Sequence, residues 1–132
     1  MRARPLARAR RATDARSILA RRYDARGFVI AGSYCEGALF AYEKMHAAWS
    51  PRTTADVTAS SLAVLEILDP APDLVVIGTG RTVRALSEDT LRYLRELGVS
   101  AEVSDTANAT STFNVLVEEG RSVAAALLPA SA

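Results

Sequence analysis

The sequence predicts an α/β domain of three layers, in which an antiparallel N-terminal β layer packs beside a mostly parallel sheet covered by helices. From residue 57 onward, the segments follow the order helix, strand, helix, strand, helix, strand. Such alternation is typical of parallel strands joined by right-handed crossovers. Before residue 50, two short apolar runs bracketed by glycines have the composition of paired strands.

The N-terminal layer is predicted from three short segments. The run over residues 26–32 is rich in β-branched and aromatic residues, and the run over 37–42 follows it at hairpin distance. We therefore expect these two runs to form an antiparallel pair. A further edge strand is expected over Met45–Trp49, just before Ser50-Pro51, because the residue before a proline favours extended geometry.

The first helix and strand of the alternating part are predicted over residues 56–78. Leu62, Leu65 and Leu68 recur every three residues, which suits one face of a helix that Pro70 ends. The continuous apolar run Leu74–Ile77 is then typical of a strand buried on both faces.

Two more helix and strand pairs complete the predicted domain. Ser87 is placed to cap a helix that ends at Gly98, and a short strand follows. A third helix is expected to begin at Thr110 or Ser111, before a last strand over 123–128.

Composition indicates one folded domain and limits its chemistry. The chain has 132 residues, of which 49% are hydrophobic and 23% charged, as in ordinary globular proteins. Cys35 and His46 are the only cysteine and histidine, too few for a zinc or iron–sulfur site. We expect no metal, no cofactor and no membrane-spanning segment. The predicted division is a basic arm over 1–22 and one globular domain over 23–132.

The arm is strongly basic, whereas the rest of the chain is acidic. Residues 1–26 contain nine arginines and two aspartates, and the remaining chain carries a net charge of −6. Arginine and alanine with few acidic residues are the composition of a mitochondrial transit peptide. A solvated tail and an RNA-binding arm remain alternatives, although no aromatic residue precedes Tyr23 for base stacking. The candidate partner contacts in the arm are Arg8, Arg10, Arg11 and Arg16.

The turn Gly78-Thr79-Gly80 is the first candidate ligand site. Paired glycines at a strand end allow backbone amides to approach a phosphate, but Val83 stands where the dinucleotide motif requires a third glycine. A tight turn is the favoured interpretation, and a small nucleotide site is the alternative. Arg81 and Arg84 beside the turn are candidates for gripping an anion or, as we favour, for meeting an acidic partner.

The remaining polar candidates do not form a catalytic set in the sequence. Asp105, Thr106 and Asn108 form a predicted polar loop after a strand, where α/β sheets often bind ligands and where side chains also cap helices. A nucleophilic pair of Cys35 and His46 would depend on the fold to bring the two together. We favour a buried Cys35 and a structural or surface His46, and we expect no enzymatic activity.

A series of short stretches carries a specific family likeness. They are LVVIGTG at 74–80, LGV at 97–99, EV at 102–103, DT at 105–106, TFN at 112–114, EGR at 119–121 and AALLP at 125–129. In order and spacing these stretches resemble the mitochondrial complex I assembly factor 3 family, and the likeness extends over residues 18–129. Two positions depart from the family pattern: Arg81 stands where an aspartate is common after Gly80, and Ala107 replaces a common proline.

The resemblance implies a three-layer fold and a protein without known catalytic activity. It also implies residence in the mitochondrial matrix, peripheral association with the inner membrane, and binding to assembly factor 4 and to subunits of the ubiquinone module of complex I. The chain is then expected to act as an assembly factor or as a retained accessory subunit. A mitochondrial RNA or ribosome component held by the Arg-rich arm is the alternative. No DNA partner is expected.

Overall fold

The computed structural model describes residues 25–30, 33–43 and 45–132. The predicted arm over 1–22 lies outside the described residues, so its role stays a prediction. Within the described part, two strands form a small sheet and five form a larger mixed sheet.

The small sheet is an antiparallel hairpin at the N-terminal side of the domain. It consists of β1 (Gly27–Ile30) and β2 (Ser33–Glu36), and Phe28 pairs with Cys35. The Phe28 side chain is completely buried among residues of the larger sheet and of a helix. The hairpin therefore forms a layer beside the main sheet, and the predicted three-layer class is confirmed.

The predicted pairing of residues 26–32 with 37–42 is wrong. The chain turns at Gly37, which adopts φ +91°, and the next strand, β3 (Ala38–Tyr42), enters the main sheet instead. Every residue of β3 is buried. A strand that buries both faces is stabilised inside a covered sheet, which explains why β3 does not remain in an N-terminal hairpin.

The main sheet has the strand order β4-β3-β7-β5-β6. Its other strands are β4 (Met45–Trp49), β5 (Leu74–Gly78), β6 (Ser100–Ser104) and β7 (Val123–Leu127). β5 runs parallel to both β6 and β7, as the alternating pattern predicts. β3 runs antiparallel to β7 and to β4, and β4 is the predicted edge strand.

The first helical segment differs from its prediction. Residues 56–70 do not form one α-helix; the chain instead forms two short 3-10 helices, Thr54–Asp56 and Ser60–Glu66. A 3-10 helix has about three residues per turn, so leucines spaced by three lie above one another. Leu62 and Leu65 are accordingly both buried.

Residues next to the helix ends cap both α-helices, and such caps can be recognised in the sequence. In α1 (Glu88–Leu97), Ser87 Oγ accepts a hydrogen bond from the Thr90 amide, and Gly98 ends the helix in the left-handed conformation, as predicted. The second, α2 (Thr106–Glu118), begins before the predicted Thr110 or Ser111. Its earlier start follows from Asp105, whose side chain accepts a hydrogen bond from the Asn108 amide.

Two apolar clusters lie on opposite faces of the main sheet. β5 contributes to both, because successive strand residues point to opposite faces: Ile77 joins one cluster and Val76 the other. Leu94 of α1 packs in the first cluster, and Phe113 of α2 packs in the second. The parallel strands are thus packed on both faces, and the loops that leave their ends carry the candidate site.

Candidate functional site

The loops that follow β5, β6 and β7 meet at one edge of the main sheet. We call this the carboxyl edge, and it comprises residues 79–87, 105–108 and 128–132. From β5 the chain passes through α1 to β6 on one side, and then through α2 to β7 on the other side of β5. Open α/β sheets bind ligands in such places, outside the carboxyl ends of their strands.

The backbone amides of the turn at Gly80 are already bonded within the protein. Thr79 N–H donates to Ser104 O at 2.9 Å, and Arg81 N–H donates to Ala132 O at 3.2 Å. Between them, Gly80 N–H donates to Thr106 Oγ1 at 2.9 Å. A phosphate cradle needs such amides to point at the ligand from a helix start. Here the first helix after the turn begins only at Glu88, so the turn interpretation is the one that the geometry supports.

The two glycines of this turn serve close packing. A Cβ at Gly78 would lie 2.9 Å from the Thr106 backbone, and a Cβ at Gly80 would lie 2.3 Å from Ala132 O. Gly80 also adopts φ +103°. The glycines therefore allow α2 and the segment after β7 to approach the end of β5.

Thr106 joins the three loops of the carboxyl edge. Its hydroxyl donates to Leu128 O at 2.7 Å while accepting from Gly80 N–H. Its own backbone N–H donates to Gly80 O at 2.9 Å. Thr106 is completely buried, so it positions the loops and does not present its side chain to solvent.

Asp105 and Asn108 form the accessible part of the predicted polar loop, which comprises the N-cap and the first turn of α2. The Asn108 side-chain amide donates to Asp105 Oδ1 at 2.6 Å, and its backbone N–H donates to Oδ2 at 3.3 Å. The first of these bonds is the main reason why the pKa of the Asp105 carboxyl is lowered. The carboxylate is thus ionised and engaged in capping the helix.

The loop with Arg81 and Arg84 is held by the side chain of Thr79, a role that the turn motif alone does not predict. The buried Thr79 hydroxyl donates to Thr82 O at 2.8 Å and accepts from Arg84 N–H at 3.1 Å. Both arginines are exposed, and neither forms an ion pair with a described residue. A threonine between two glycines at the end of a buried strand was the available signal for this role.

Three shallow hollows adjoin one another around Arg84, and we call them together the Arg84 hollow. One of about 300 Å³ is lined by Arg81, Thr82, Arg84, Ser131 and Ala132. The next, of about 340 Å³, is lined by residues 53–55 with Arg84 and Ala132. The third, of about 400 Å³, lies between two segments of the chain, residues 54–57 and residues 84–87. The sequence gives no sign that Thr54 and Arg84 come together.

The other predicted site residues do not join the carboxyl edge. Arg8, Arg10, Arg11 and Arg16 lie outside the described residues. Cys35 packs partly buried against the second apolar cluster, and His46 lies half-buried on the edge strand β4. Over residues 25–30, 33–43 and 45–132, no group of three His, Cys, Asp or Glu side chains is arranged to hold a metal ion.

The fold and the glycine-lined carboxyl edge define an α/β domain of a recognised kind. A solved structure from Bordetella pertussis, described as an Mth938-like domain, matches with a TM-score of 0.78 at 25% identity, over 98% of this chain and 92% of that one. Residues 20–128 match the model of the family described as "Protein of unknown function (DUF498/DUF598)". The chain belongs to this family.

Curated relatives confirm the resemblance to assembly factor 3. "NADH dehydrogenase [ubiquinone] 1 alpha subcomplex assembly factor 3" of Xenopus tropicalis is 39% identical over 107 residues, which are 81% of this chain and 58% of that protein. An uncharacterized protein of Rhodobacter capsulatus is 36% identical over 102 residues, 77% of each chain. The chain thus spans little more than half the length of the animal relatives. None of the helices in the described part has the length and apolar character needed to cross a membrane.

Proposed function

We propose that this chain acts in the assembly of mitochondrial respiratory complex I as a non-catalytic binding protein. The observation that carries the proposal is the identity of 36% to 39% with animal proteins named assembly factor 3, over 107 residues. The matched length is sufficient to include the whole sheet and both α-helices. The remaining residues of these relatives are not matched by this chain, so the proposal concerns the function of the shared domain.

The proposed partners are subunits of the ubiquinone module of the peripheral arm, together with assembly factor 4. The chain would work in the mitochondrial matrix, peripheral to the inner membrane, either transiently or as a retained accessory subunit. The arm with Arg8, Arg10, Arg11 and Arg16 would serve as a transit segment or as a further contact. On the domain, the proposed contact surface is the carboxyl edge.

Five side chains of the carboxyl edge are proposed to face the partner. Arg81 and Arg84 are exposed cations without an ion-pair partner among the described residues, and Val83 between them has 63% of its surface exposed. Asp105 and Asn108 add polar groups at the start of α2. An exposed apolar residue flanked by arginines suits an acidic protein surface, because arginine forms forked hydrogen bonds to carboxylates.

The proposal of a non-catalytic role is supported by how the polar groups of this edge are used. The amides of Thr79, Gly80 and Arg81 are bonded to protein acceptors, and the Asp105 carboxylate caps α2. A catalytic acid or base must instead reach a proton of the substrate. These groups hold the loops in place, and a rigid surface is what a binding protein requires.

The test is affinity purification of the tagged full chain from mitochondria, followed by mass spectrometry. We expect recovery of ubiquinone-module subunits, and loss of that recovery when Arg81→Glu and Arg84→Glu are combined. Arg121→Glu is the matched control, because Arg121 is an exposed arginine before β7, at the opposite edge of the sheet. Absence of every complex I component from the purified material would refute the proposal.

The Arg-rich arm favours one alternative function, attachment to RNA. Residues 1–26 carry a net charge of +7, which is sufficient for contacts to several phosphates. Phosphate contacts release counterions, so the affinity of such binding falls steeply as salt rises. RNA binding that is strong at low salt and lost on removal of residues 1–22 would support this alternative. The second alternative, a nucleotide at the Gly78–Gly80 turn, is opposed by the bonded amides of that turn.

A further inference from the structure

We infer that the Arg84 hollow is a binding site for a phosphate group. This inference goes beyond the proposed function, because it concerns a small anionic ligand and holds whether or not the chain binds complex I subunits. The ligand is either a small phosphate compound in solution or the phosphate of a lipid headgroup, and both present the same oxygens to the protein.

Two cationic residues line the hollow. Arg81 and Arg84 both border its part of about 300 Å³, together with Thr82, Ser131 and Ala132. Arginine presents several N–H donors in a planar fork that matches the oxygens of phosphate. Because neither guanidinium forms an ion pair with a described residue, both are available to an anion.

The backbone that carries the two arginines is held in place before a ligand arrives. The Thr79 hydroxyl bonds both Thr82 O and Arg84 N–H, which fixes the backbone of the loop between the two arginines. The Arg81 amide is fixed as well, by its bond to Ala132 O. A preorganised loop loses less conformational entropy on binding than a mobile one, so affinity is gained.

Thr54 supplies the second, independent observation. Its Oγ1 is removed from solvent and has no hydrogen-bond partner among the described residues. The same residue lines the two parts of the hollow that adjoin Arg84 on the far side from Arg81. A hydroxyl removed from water without a partner is unfavourable, and a bound oxyanion that accepts from it, once the Thr54 side chain turns towards the hollow, would remove this cost.

The charge of the residues that line the hollow also differs in sign from the net charge of the domain. Residues 27–132 carry a net charge of −6, yet no Asp or Glu lines any of the three parts. Two acids adjoin lining residues along the chain: Asp56, which is engaged with the backbone amides of Arg52 and Thr53, and Glu88, in the first turn of α1. The charged side chains that line the Arg84 hollow are therefore both cationic, on an acidic body, which favours anions.

The test is an amide NMR titration of the full chain with inorganic phosphate and with pyrophosphate, against chloride at constant ionic strength. We expect saturable shifts at Thr54, at residues 81–85 and at Ser131 and Ala132. Arg84→Ala is expected to weaken binding about tenfold or more, since it removes a charge-assisted hydrogen bond. Thr54→Val, which keeps the shape of the side chain, is expected to weaken it less, and Arg121→Ala is expected to leave it unchanged.

A second arm separates the two sources of phosphate. Vesicles of phosphatidylcholine with or without phosphatidic acid are sedimented with the wild-type chain and with Arg84→Ala. Sedimentation that requires phosphatidic acid and Arg84 identifies a lipid headgroup, whereas NMR binding without sedimentation identifies a soluble ligand. Shifts confined to residues 1–26, or equal affinity for wild type and Arg84→Ala, would overturn the inference. None of these results decides the proposed function, because recovery of complex I subunits by the wild-type chain is measured separately.

Discussion

Thr106 and Gly80 are joined by two hydrogen bonds that run in opposite directions. The Gly80 amide donates to the Thr106 hydroxyl at 2.9 Å, and the Thr106 amide donates to the Gly80 carbonyl oxygen at 2.9 Å. The same hydroxyl donates to Leu128 O. One buried side chain thus ties the start of α2 to the loops after β5 and β7, and the stability of the carboxyl edge should depend on it.

Replacement of Thr106 by Val is expected to destabilise the domain by about 2 to 4 kcal/mol, because it leaves a buried amide and a buried carbonyl oxygen without their partner. The shape and β-branching of the side chain are kept. The free energy of unfolding, measured by chemical denaturation, checks this. Thr112→Val in the same helix is the control, since the Thr112 hydroxyl makes no hydrogen bond with a described residue. Equal losses in both variants would contradict the role assigned to Thr106.

Replacing Gly98 by alanine would introduce backbone strain alone, whereas replacing Gly80 would introduce backbone strain together with a steric clash. Both adopt positive φ, at +103° and +79°, but a Cβ would meet Ala132 O at 2.3 Å only at Gly80. Gly98→Ala should cost about 1 to 2 kcal/mol, the usual penalty of the left-handed conformation. Gly80→Ala should cost more and should shift the amide resonances of residues 130–132. Similar losses of unfolding free energy for the two variants would show that the close approach to Ala132 is not a constraint.

Local signals in the sequence were sufficient for part of the fold. Ser87 and Gly98 cap α1 as predicted, because capping depends on residues next to the helix ends. The start of α2 was misplaced because Thr110 and Ser111 offered competing caps, and only the structure shows that Asp105 bonds the Asn108 amide.

Long-range relationships could not be predicted in the same way. The pairing of β3 with β7 joins Phe40 to Ala126, and the choice of this partner depends on which surfaces the whole domain buries. The Arg84 hollow is a similar case. Thr54 and Arg84 line it together although thirty residues of chain separate them. The sequence identified Arg81 and Arg84 as cations beside a turn, but not that Thr54 and Ala132 complete the hollow.

Asp105 is expected to contribute stability that is lost in acid. Its pKa is lowered in the folded state, chiefly by the hydrogen bond from the Asn108 side chain, so the unfolded chain takes up a proton first as the pH falls. The contribution is therefore present above the ordinary carboxyl pKa of about 3.9 and is lost as the pH falls through the lowered folded value. Asp105→Ala should cost about 1 kcal/mol at neutral pH, as the loss of a helix cap does.

Asp105→Asn is the matched variant, because asparagine also caps helices but does not titrate. Its unfolding free energy should lie close to that of the wild type at neutral pH and should decline less than the wild type in acid. Chemical denaturation of the three proteins in neutral and acidic buffers provides the measurement. An Asp105→Asn variant with the same acid loss as the wild type would exclude this carboxylate as a source of the pH dependence.

Tyr93 should make the domain sensitive to alkali. Burial first, and then the hydrogen bond that Tyr93 donates to Glu66 at 2.5 Å, raise the pKa of Tyr93 from 10.0 to about 12. Between these values the unfolded chain has released the phenolic proton while the folded chain retains it, so stability falls as the pH rises through this window and is fully present below it. Relative to Tyr93→Phe, the wild type should lose stability over that window. In Glu66→Gln, the pKa of Tyr93 should fall only part of the way towards 10.0, because burial remains. The titration is followed by ultraviolet absorbance, with Tyr93→Phe as the reference. A Tyr93 that titrates near 10 in the wild type would refute the prediction.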